Sequence, residues 1–303
     1  MTMQIPRVRV GQPLRHEALS VFPLFVDSVS GVDYRLSAEA LADQSVLVEE
    51  VSEGGSVPFL LVENKGDGRV LFLEGEELVG AKQNRILNTS VLIAAHAKIK
   101  IPVSCVEQGR WRYKSKYFGS SGSHSPSKLR RTLKASVTRS VNANRGHTSD
   151  QGAVWQEVSS LHSTHSVASG TSAMSDAFDS YQERIGKYQE QLGYVAGAAG
   201  VAMAIGNKVV AVDLFDKPAT CEKVWSRLLS GVVFDALEVC DTDQPASIAD
   251  VERLVQSAGA FPWQAAAAVG EGEEYRAQSP TGDQASALLF GGAVVHGSVV
   301  AGM

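Results

Sequence analysis

Apolar residues in this chain recur with two different periods, and the change from one to the other divides it. Across 46–51, 57–63, 69–73, 86–93 and 98–103 they come in short bursts rich in Val, Ile, Leu and Phe. Turn material separates them: Glu53-Gly-Gly-Ser, Asn64-Lys-Gly-Asp-Gly and Asn88-Thr. Bursts this short, at hairpin spacing, predict an antiparallel β-sandwich or barrel. The alternation of Lys98-Ile-Lys-Ile leaves one face of its strand in water. Ahead of them, 18–26 reads as a strand whose Pro23 suits an edge or a bulge, and Ser37 is a good N-cap for a short helix.

From 151 to 192 the period lengthens. Val154, Trp155, Val158 and Leu161, then Met174, Phe178, Tyr181, Ile185, Tyr188 and Leu192, repeat at helical spacing on either side of Ser169-Gly-Thr-Ser, predicting a helical hairpin laid over a sheet. In 197–215 two apolar runs flank Gly206-Asn207, where positive φ costs little, so a hairpin is expected. Its glycines do not follow the dinucleotide-binding GxGxxG pattern, and a strand rather than a helix comes after them. Pro218 opens a helix with Cys221, Val224, Trp225, Leu228, Leu229 and Val232 as its apolar stripe. Ser247 with Asp250 forms a weak capping box, and 263–269, 274–277, 285–290 and 293–300 close the chain as strands around a Gly291-Gly292 turn.

The expected fold class is α+β. It has an antiparallel β-sandwich or barrel-like N-terminal half, a helical hairpin, and further antiparallel hairpins in the C-terminal half. Three regions are expected: 1–112, mainly β; 113–149, a basic loop and helix acting as connector; and 150–303, an α+β region packed on the first or continuous with it.

Composition narrows the function classes. The 303 residues are 44% hydrophobic, enough for a sizeable core, and the formal net charge is −5. A surface that coats nucleic acid needs excess Lys and Arg, so general nucleic-acid binding is not expected. The ten Lys and Arg residues between Arg110 and Ser149, with no Asp or Glu among them, stand out against that balance. Within them 117–127 reads as a mobile Ser/Gly loop and 127–133 as a helix. The stretch is a solvated connector, a phosphate-attracting surface, or a stripe packed on the protein's own acids. The first sixteen residues lack an apolar run, so no secretory signal is expected, and 195–205 is too short for a membrane span. Cys105, Cys221 and Cys240 are widely spaced without CxxC, which suits reduced thiols and a cytoplasmic location.

Candidate chemistry centres on 71–111. Glu74, Glu76 and Glu77 are the catalytic candidates; Glu74 and Glu76 share a face if the run is a strand, and clustered carboxylates hold a divalent ion or act as acid and base. Their alternative role is to pair with Lys82, Arg85 or the basic stretch. Lys82, Gln83, Asn84 and Arg85 are ligand-binding candidates: paired donors and acceptors on Gln83 and Asn84 read a base edge, and Arg85 grips a phosphate. Gln108, Arg110 and Trp111 add charge and a stacking face beside a glycine. No metal site is expected, because His162 and His165 lack a third ligand and no HExxH occurs. Cys105 reads as a buried structural thiol.

The segments LEGEELVGAKQNRILNTSVLI, IPVSCVEQGRW, GNKVVAVDLF and GEEYR…GGAVVH resemble the ADP-ribosylglycohydrolase and rhodanese-phosphatase associated protein domain family, over nearly the whole chain. The family has no assigned activity. By domain company, the resemblance implies a link to ADP-ribose or NAD turnover. The leading functional reading is a noncatalytic module for a nucleotide-like or phosphorylated small molecule, or for a protein partner. The alternative is a hydrolase of an ADP-ribose-like or phosphoester substrate, with magnesium on the glutamates. The third is a homo-oligomeric scaffold joined through the terminal hairpins.

Overall fold

The computed structural model describes residues 3, 5–239 and 244–302, so Cys240 lies outside the described residues. Contacts gather the chain into two compact units. One comprises Met1–Val32, Glu183–Ala267 and Gly272–Met303, the other Asp33–Gln182 with Ala268–Glu271. The chain thus begins one unit, builds the second, and returns to the first. Divisions at 112 and 149 fall inside the second unit, because the stretch between them contributes a strand and a helix to it.

The first unit opens with β1 (Val8–Val10), β2 (Leu14–His16) and β3 (Leu19–Val26). β3 is not the edge strand that Pro23 suggests. β1 pairs with Leu24–Val26 and β2 with Leu19–Val21, and a later strand pairs along the other side. Pro23 sits at the gap between the first two partners, where its carbonyl accepts the Gly11 N–H at 2.8 Å. The missing proline donor therefore falls where no ladder bond is required.

The second unit contains β4 (Arg35–Leu36), α1 (Ser37–Ala42), β5 (Val46–Glu50), β6 (Phe59–Asn64), β7 (Val70–Phe72), β8 (Glu76–Gly80), β9 (Arg85–Leu87), β10 (Val91–Ile93), β11 (Lys98–Cys105) and β12 (Phe118–His124). They are followed by α2 (Ser127–Asn142), α3 (Gln151–Thr164) and α4 (Met174–Ser180). A six-stranded antiparallel sheet runs β12-β8-β9-β11-β6-β5, and a second one β10-β7-β4, in which only β4 and β7 are parallel. Val48, Leu60, Val62, Phe72, Leu87 and Ile101 lie in its core, while Lys98 and Lys100 face water as their alternation predicts.

Two expectations for the basic stretch change here. The Ser/Gly segment forms β12, whose small residues pair with β8 through an irregularity between Ser120 and His124. α2 does form, but it is no solvated connector. It buries Arg130 and Lys134, at 1% and 0% exposure, and Lys134 is ion-paired with Glu74 of the same unit.

The chain returns to the first unit with α5 (Gln182–Gln191), β13 (Gly200–Ile205), β14 (Lys208–Phe215), α6 (Pro218–Leu237), α7 (Ile248–Gly259), β15 (Gln264–Ala266), β16 (Glu273–Gln278), β17 (Gln284–Phe290) and β18 (Ala293–Val300). The helical period of 151–192 is thus shared between the units: α3 packs on α4 and β11 in the second, while α5 belongs mostly to the first. A nine-stranded antiparallel sheet runs β1-β3-β13-β14-β18-β17-β16-β15, with β2 beside β3. The predicted turn glycines are in place: Gly206 at φ 56°, Gly291 at 59° and Gly292 at 80°. Ser247 and Asp250 complete the capping box of α7. Below α7 the sheet face is apolar, built from Phe22, Leu24, Ala202, Val212, Leu214 and Val299. With mostly antiparallel sheets and segregated helices, the fold is α+β.

Candidate ligand-binding cleft

The β8–β9 hairpin turns through Ala81, Lys82, Gln83 and Asn84, with Ala81 at φ 37°. Arg110 holds that turn. Its Nε and Nη2 donate to the two Glu107 carboxylate oxygens at 2.8 and 2.7 Å. Nη1 donates to the carbonyls of Ala81 (2.6 Å) and Arg112 (2.9 Å), and Nη2 also to the Gly80 carbonyl and Asn84 Oδ1 (both 3.1 Å). Glu107 accepts further bonds from the Asn84 N–H (3.0 Å) and the Thr171 hydroxyl (2.9 Å). Burial opposes ionisation of Glu107, but the bonds from Arg110, Asn84 and Thr171 outweigh it and hold the carboxyl below its ordinary range. Arg110 therefore spends its donors on the fold, and Glu107, not singled out from the sequence, is its counter-ion.

The turn residues are engaged in the same way. Gln83 Oε1 accepts from Arg85 Nη1 at 3.0 Å, and Asn84 bridges the Gly80 N–H (3.2 Å) to the Ser175 hydroxyl (3.2 Å). Neither amide is poised to read a base. Lys82 Nζ donates to the Glu53 carbonyl and lies 5.5 Å from the Trp111 ring centroid and 5.0 Å from that of Tyr113, a cation held between two aromatic faces. Arg85 is fully buried. Its Nη2 stands 3.8 Å from Glu50 Oε1, too far for a hydrogen bond, and Arg85 Nε, Arg85 Nη2 and Glu50 Oε2 have no hydrogen-bond partner. Desolvation lowers the Arg85 pKa, with the nearby Cys105 and Glu50 opposing.

Glu74, Glu76 and Glu77 are all buried, but they do not form one carboxylate site. The run is not a continuous strand: Glu74-Gly75 is a turn, Gly75 takes φ 79°, and β8 starts only at Glu76. The period-2 premise that put Glu74 and Glu76 on one face fails there. Glu74 is ion-paired with Lys134 Nζ at 2.7 Å inside the core, while Glu76 accepts the Ser37 hydroxyl at 2.5 Å and the Leu73 N–H at 3.2 Å. Ser37, expected as an N-cap, is instead the first residue of α1, and its hydroxyl serves Glu76. Glu77 is fully buried, and desolvation pushes its pKa up to about 8 against the opposing Ser121 hydroxyl.

The Gly75 turn also fixes His124, whose Nε2 contacts the Glu74 carbonyl at 2.8 Å. A Cβ on Gly75 would lie 2.6 Å from both His124 Cε1 and Ser125 Oγ. Gly75→Ala should therefore cost about 1–3 kcal/mol, from the positive φ and the clash together, read as a lowered urea midpoint; an unchanged midpoint would mean the turn relaxes freely.

Open space lies elsewhere. A cleft of ≈ 800 Å³ is lined by Glu49, Glu50, Val51, Ser52, Glu53, Leu61 and the Tyr113–Lys116 run. Trp111, 47% exposed, and Tyr113, 52% exposed, stand by its rim over Lys82. Gly55, at φ 77°, lets the 52–55 turn approach this group: a Cβ there would come within 3.1 Å of Trp111 and 3.3 Å of Glu50. Of the sequence candidates, Lys82, Arg85 and Trp111 adjoin the cleft, while Gln108 is exposed and offers its carbonyl to Gln83 Nε2 at 3.5 Å. Glu49, Glu50, Glu53, Tyr113, Lys114 and Lys116 were missed. The interleaved Trp111-Arg-Tyr-Lys-Ser-Lys was a signal for the basic side; the acidic side, Glu49 and Glu50 at the end of β5 and Glu53 after it, was read only as strand and turn material.

Remaining candidates are structural. Cys105 is buried, and desolvation pushes its thiol up to about 11; burial raises that of Cys221 as well. His162 Nε2 contacts the Ala173 carbonyl at 3.0 Å, and His165 packs edge-on against Tyr181. Among the described residues, no group of three or more His, Cys, Asp or Glu is arranged to hold a metal ion.

The family model of the ARG and Rhodanese-Phosphatase-superfamily-associated Protein domain, ARPP-1, matches residues 7–300. The chain belongs to this family. Searches of curated proteins and of solved structures return no match. The ARPP-1 domain has no assigned activity, so the cleft rests on its own geometry; the match takes in both compact units. Among the described residues no helix is long and apolar enough to cross a membrane.

Proposed function

We propose that this ARPP-1 chain is a noncatalytic binding module for a nucleotide-like, phosphorylated small molecule of the ADP-ribose or NAD type, held in the 49–53/113–116 cleft. The observation that carries the reading is the set of orphaned polar atoms in the cleft wall. Glu50, one of the lining residues, keeps an unpartnered carboxylate oxygen, and Arg85 behind it keeps two unpartnered nitrogens. Buried polar atoms are normally satisfied, so unmet demand beside an open cleft points to a ligand that supplies both a donor and an acceptor. A ribose hydroxyl does so. The aromatic faces of Trp111 and Tyr113 suit a base, and Lys114 and Lys116 suit phosphate oxygens. The domain-family association with ADP-ribosylglycohydrolase favours the same ligand class. A cytoplasmic setting accords with free, buried Cys105 and Cys221.

Calorimetry with ADP-ribose and with NAD, each with and without magnesium, tests this reading. Saturable binding without product release is expected, and Trp111→Ala should weaken it by about 1–3 kcal/mol, the worth of one base stack. Product release that depends on Glu74, Glu76 or Glu77 would replace the module with a hydrolase. Absence of binding to either compound would leave the scaffold reading.

A further inference from the structure

The sheet of the first unit carries, on the face turned away from α7, a row that ordinary core packing does not explain. Asp213 on β14 stands opposite Ser298 on β18, Ser298 opposite Ser286 on β17, and Ser286 opposite Arg276 on β16. His296 and Glu274 lie two residues along on the same face. All six are buried, none more than 7% exposed. A face buried for stability alone would be filled like the one below α7, because every polar group taken from water must find a partner.

Part of that demand is met within the row. His296 Nε2 and Asp213 Oδ1 are 3.2 Å apart, with the imidazole stacked on Phe215 at 5.0 Å, and Arg276 Nε donates to Glu274 at 2.6 Å. The rest is not. Nη1 and Nη2 of Arg276, a residue 1% exposed, have no hydrogen-bond partner, nor does Oε1 of the nearby Gln284.

We propose that the Nη1–Nη2 edge of Arg276 binds a singly charged oxyanion, the carboxylate or phosphodiester group of a small molecule. A planar guanidinium offers two parallel N–H bonds along that edge, matching two oxygens on one carbon or phosphorus. Glu274 takes only Nε, so it fixes the plane of the fork and leaves the edge to a ligand. The two acids of the row, Glu274 and Asp213, disfavour a more highly charged anion. Arg276 lies one strand in from the edge of the sheet: Gln264, directly opposite it on the terminal strand β15, is exposed.

The test uses acetate and dimethyl phosphate as probes of the full chain, by titration calorimetry against chloride at matched ionic strength. The variants are Glu274→Gln and the double variant Arg276→Met/Glu274→Gln, which removes both charges together so that neither is left buried alone. Wild type should bind one of the probes saturably, and Glu274→Gln should bind it several-fold more tightly because a repelling charge is gone. The double variant, with unchanged circular dichroism, should bind at least tenfold more weakly. The preferred probe decides between a carboxylate and a phosphodiester. Equal binding by wild type and the double variant, or no saturable binding of either probe by wild type and Glu274→Gln, overturns the proposal.

Discussion

Arg110→Met should lower the stability of the chain by about 3–5 kcal/mol, the usual cost of stripping one partner from a buried ion pair. Glu107 would keep its negative charge inside the fold, with only the Asn84 N–H and the Thr171 hydroxyl to compensate it. The carbonyls of Gly80 and Ala81 and Oδ1 of Asn84 would also lose donors. Adding Glu107→Gln should recover part of the loss by removing the stranded charge. Full recovery is not expected, because the β8–β9 turn still lacks its clamp. Lys98→Ala, which breaks a pair to Glu63 exposed on both sides, is the control and should move stability by less than about 1 kcal/mol. Urea unfolding of the four proteins measures this. If Arg110→Met costs no more than Lys98→Ala, Arg110 does not fasten the turn and its guanidinium is available for a ligand.

The fold was legible where local chemistry decides it. Gly206-Asn207, Gly291-Gly292, Pro218 and the Ser247/Asp250 pair each specify a turn or a cap within a few residues, and each stands where its residues predict. Partners distant in sequence were not legible. Pro23 lies in an inner strand because β1 and β2 leave a gap opposite it, which no property of residues 18–26 announces. Residues 118–124 carry no strand signal of their own and are drawn into the sheet by β8. The two-unit division was hidden for the same reason: residues 1–32 join 183–267 and 272–303 through long-range contacts, such as the pairing of β3 with β13 and the bonds of Arg184 and Tyr188 to Glu17.

At the candidate site, residue type was a better guide than residue role. The Gly80–Asn84 turn and the 107–110 run meet through Glu107 and Arg110, while Glu74 and Glu76 turn to Lys134 and Ser37, and most of the polarity of these runs is directed inward. Charged residues dense enough to suggest catalysis are also what a polar core requires. Distinguishing the two takes the partner of each group, as with Lys134, sixty residues from Glu74. The alternation of charge and aromatic rings in 111–116 leads to open space because those side chains are exposed on a loop, a property composition alone does not report.

Glu77→Gln should make the chain more stable than wild type above about pH 8 and leave it little changed near about pH 4. Glu77 is fully buried, so desolvation raises its pKa to about 8; the Ser121 hydroxyl beside it opposes the rise, and repulsion from Glu107, Asp179 and Asp176 adds to it. In the unfolded chain it titrates near 4.5. Between these values the folded state binds the extra proton, so stability falls as pH rises. The contribution is complete below the unfolded value, declines by at most about 1.4 kcal/mol per pH unit, and is gone above the folded one. The full span is on the order of 4–5 kcal/mol, reduced to the extent that the ionised side chain draws in water. Glu107 works in the opposite direction: held below its ordinary range, it adds stability above about pH 4.5 that is lost in acid. The two neighbours thus confine their joint contribution to a maximum at mildly acidic pH, just above the ordinary carboxylate range, Glu107 limiting it from below and Glu77 from above. Urea midpoints from about pH 4 to about pH 9 should show the wild-type curve falling between about pH 4.5 and about pH 8 relative to the Glu77→Gln curve and levelling off above that; parallel curves would mean that Glu77 is already ionised in the folded protein.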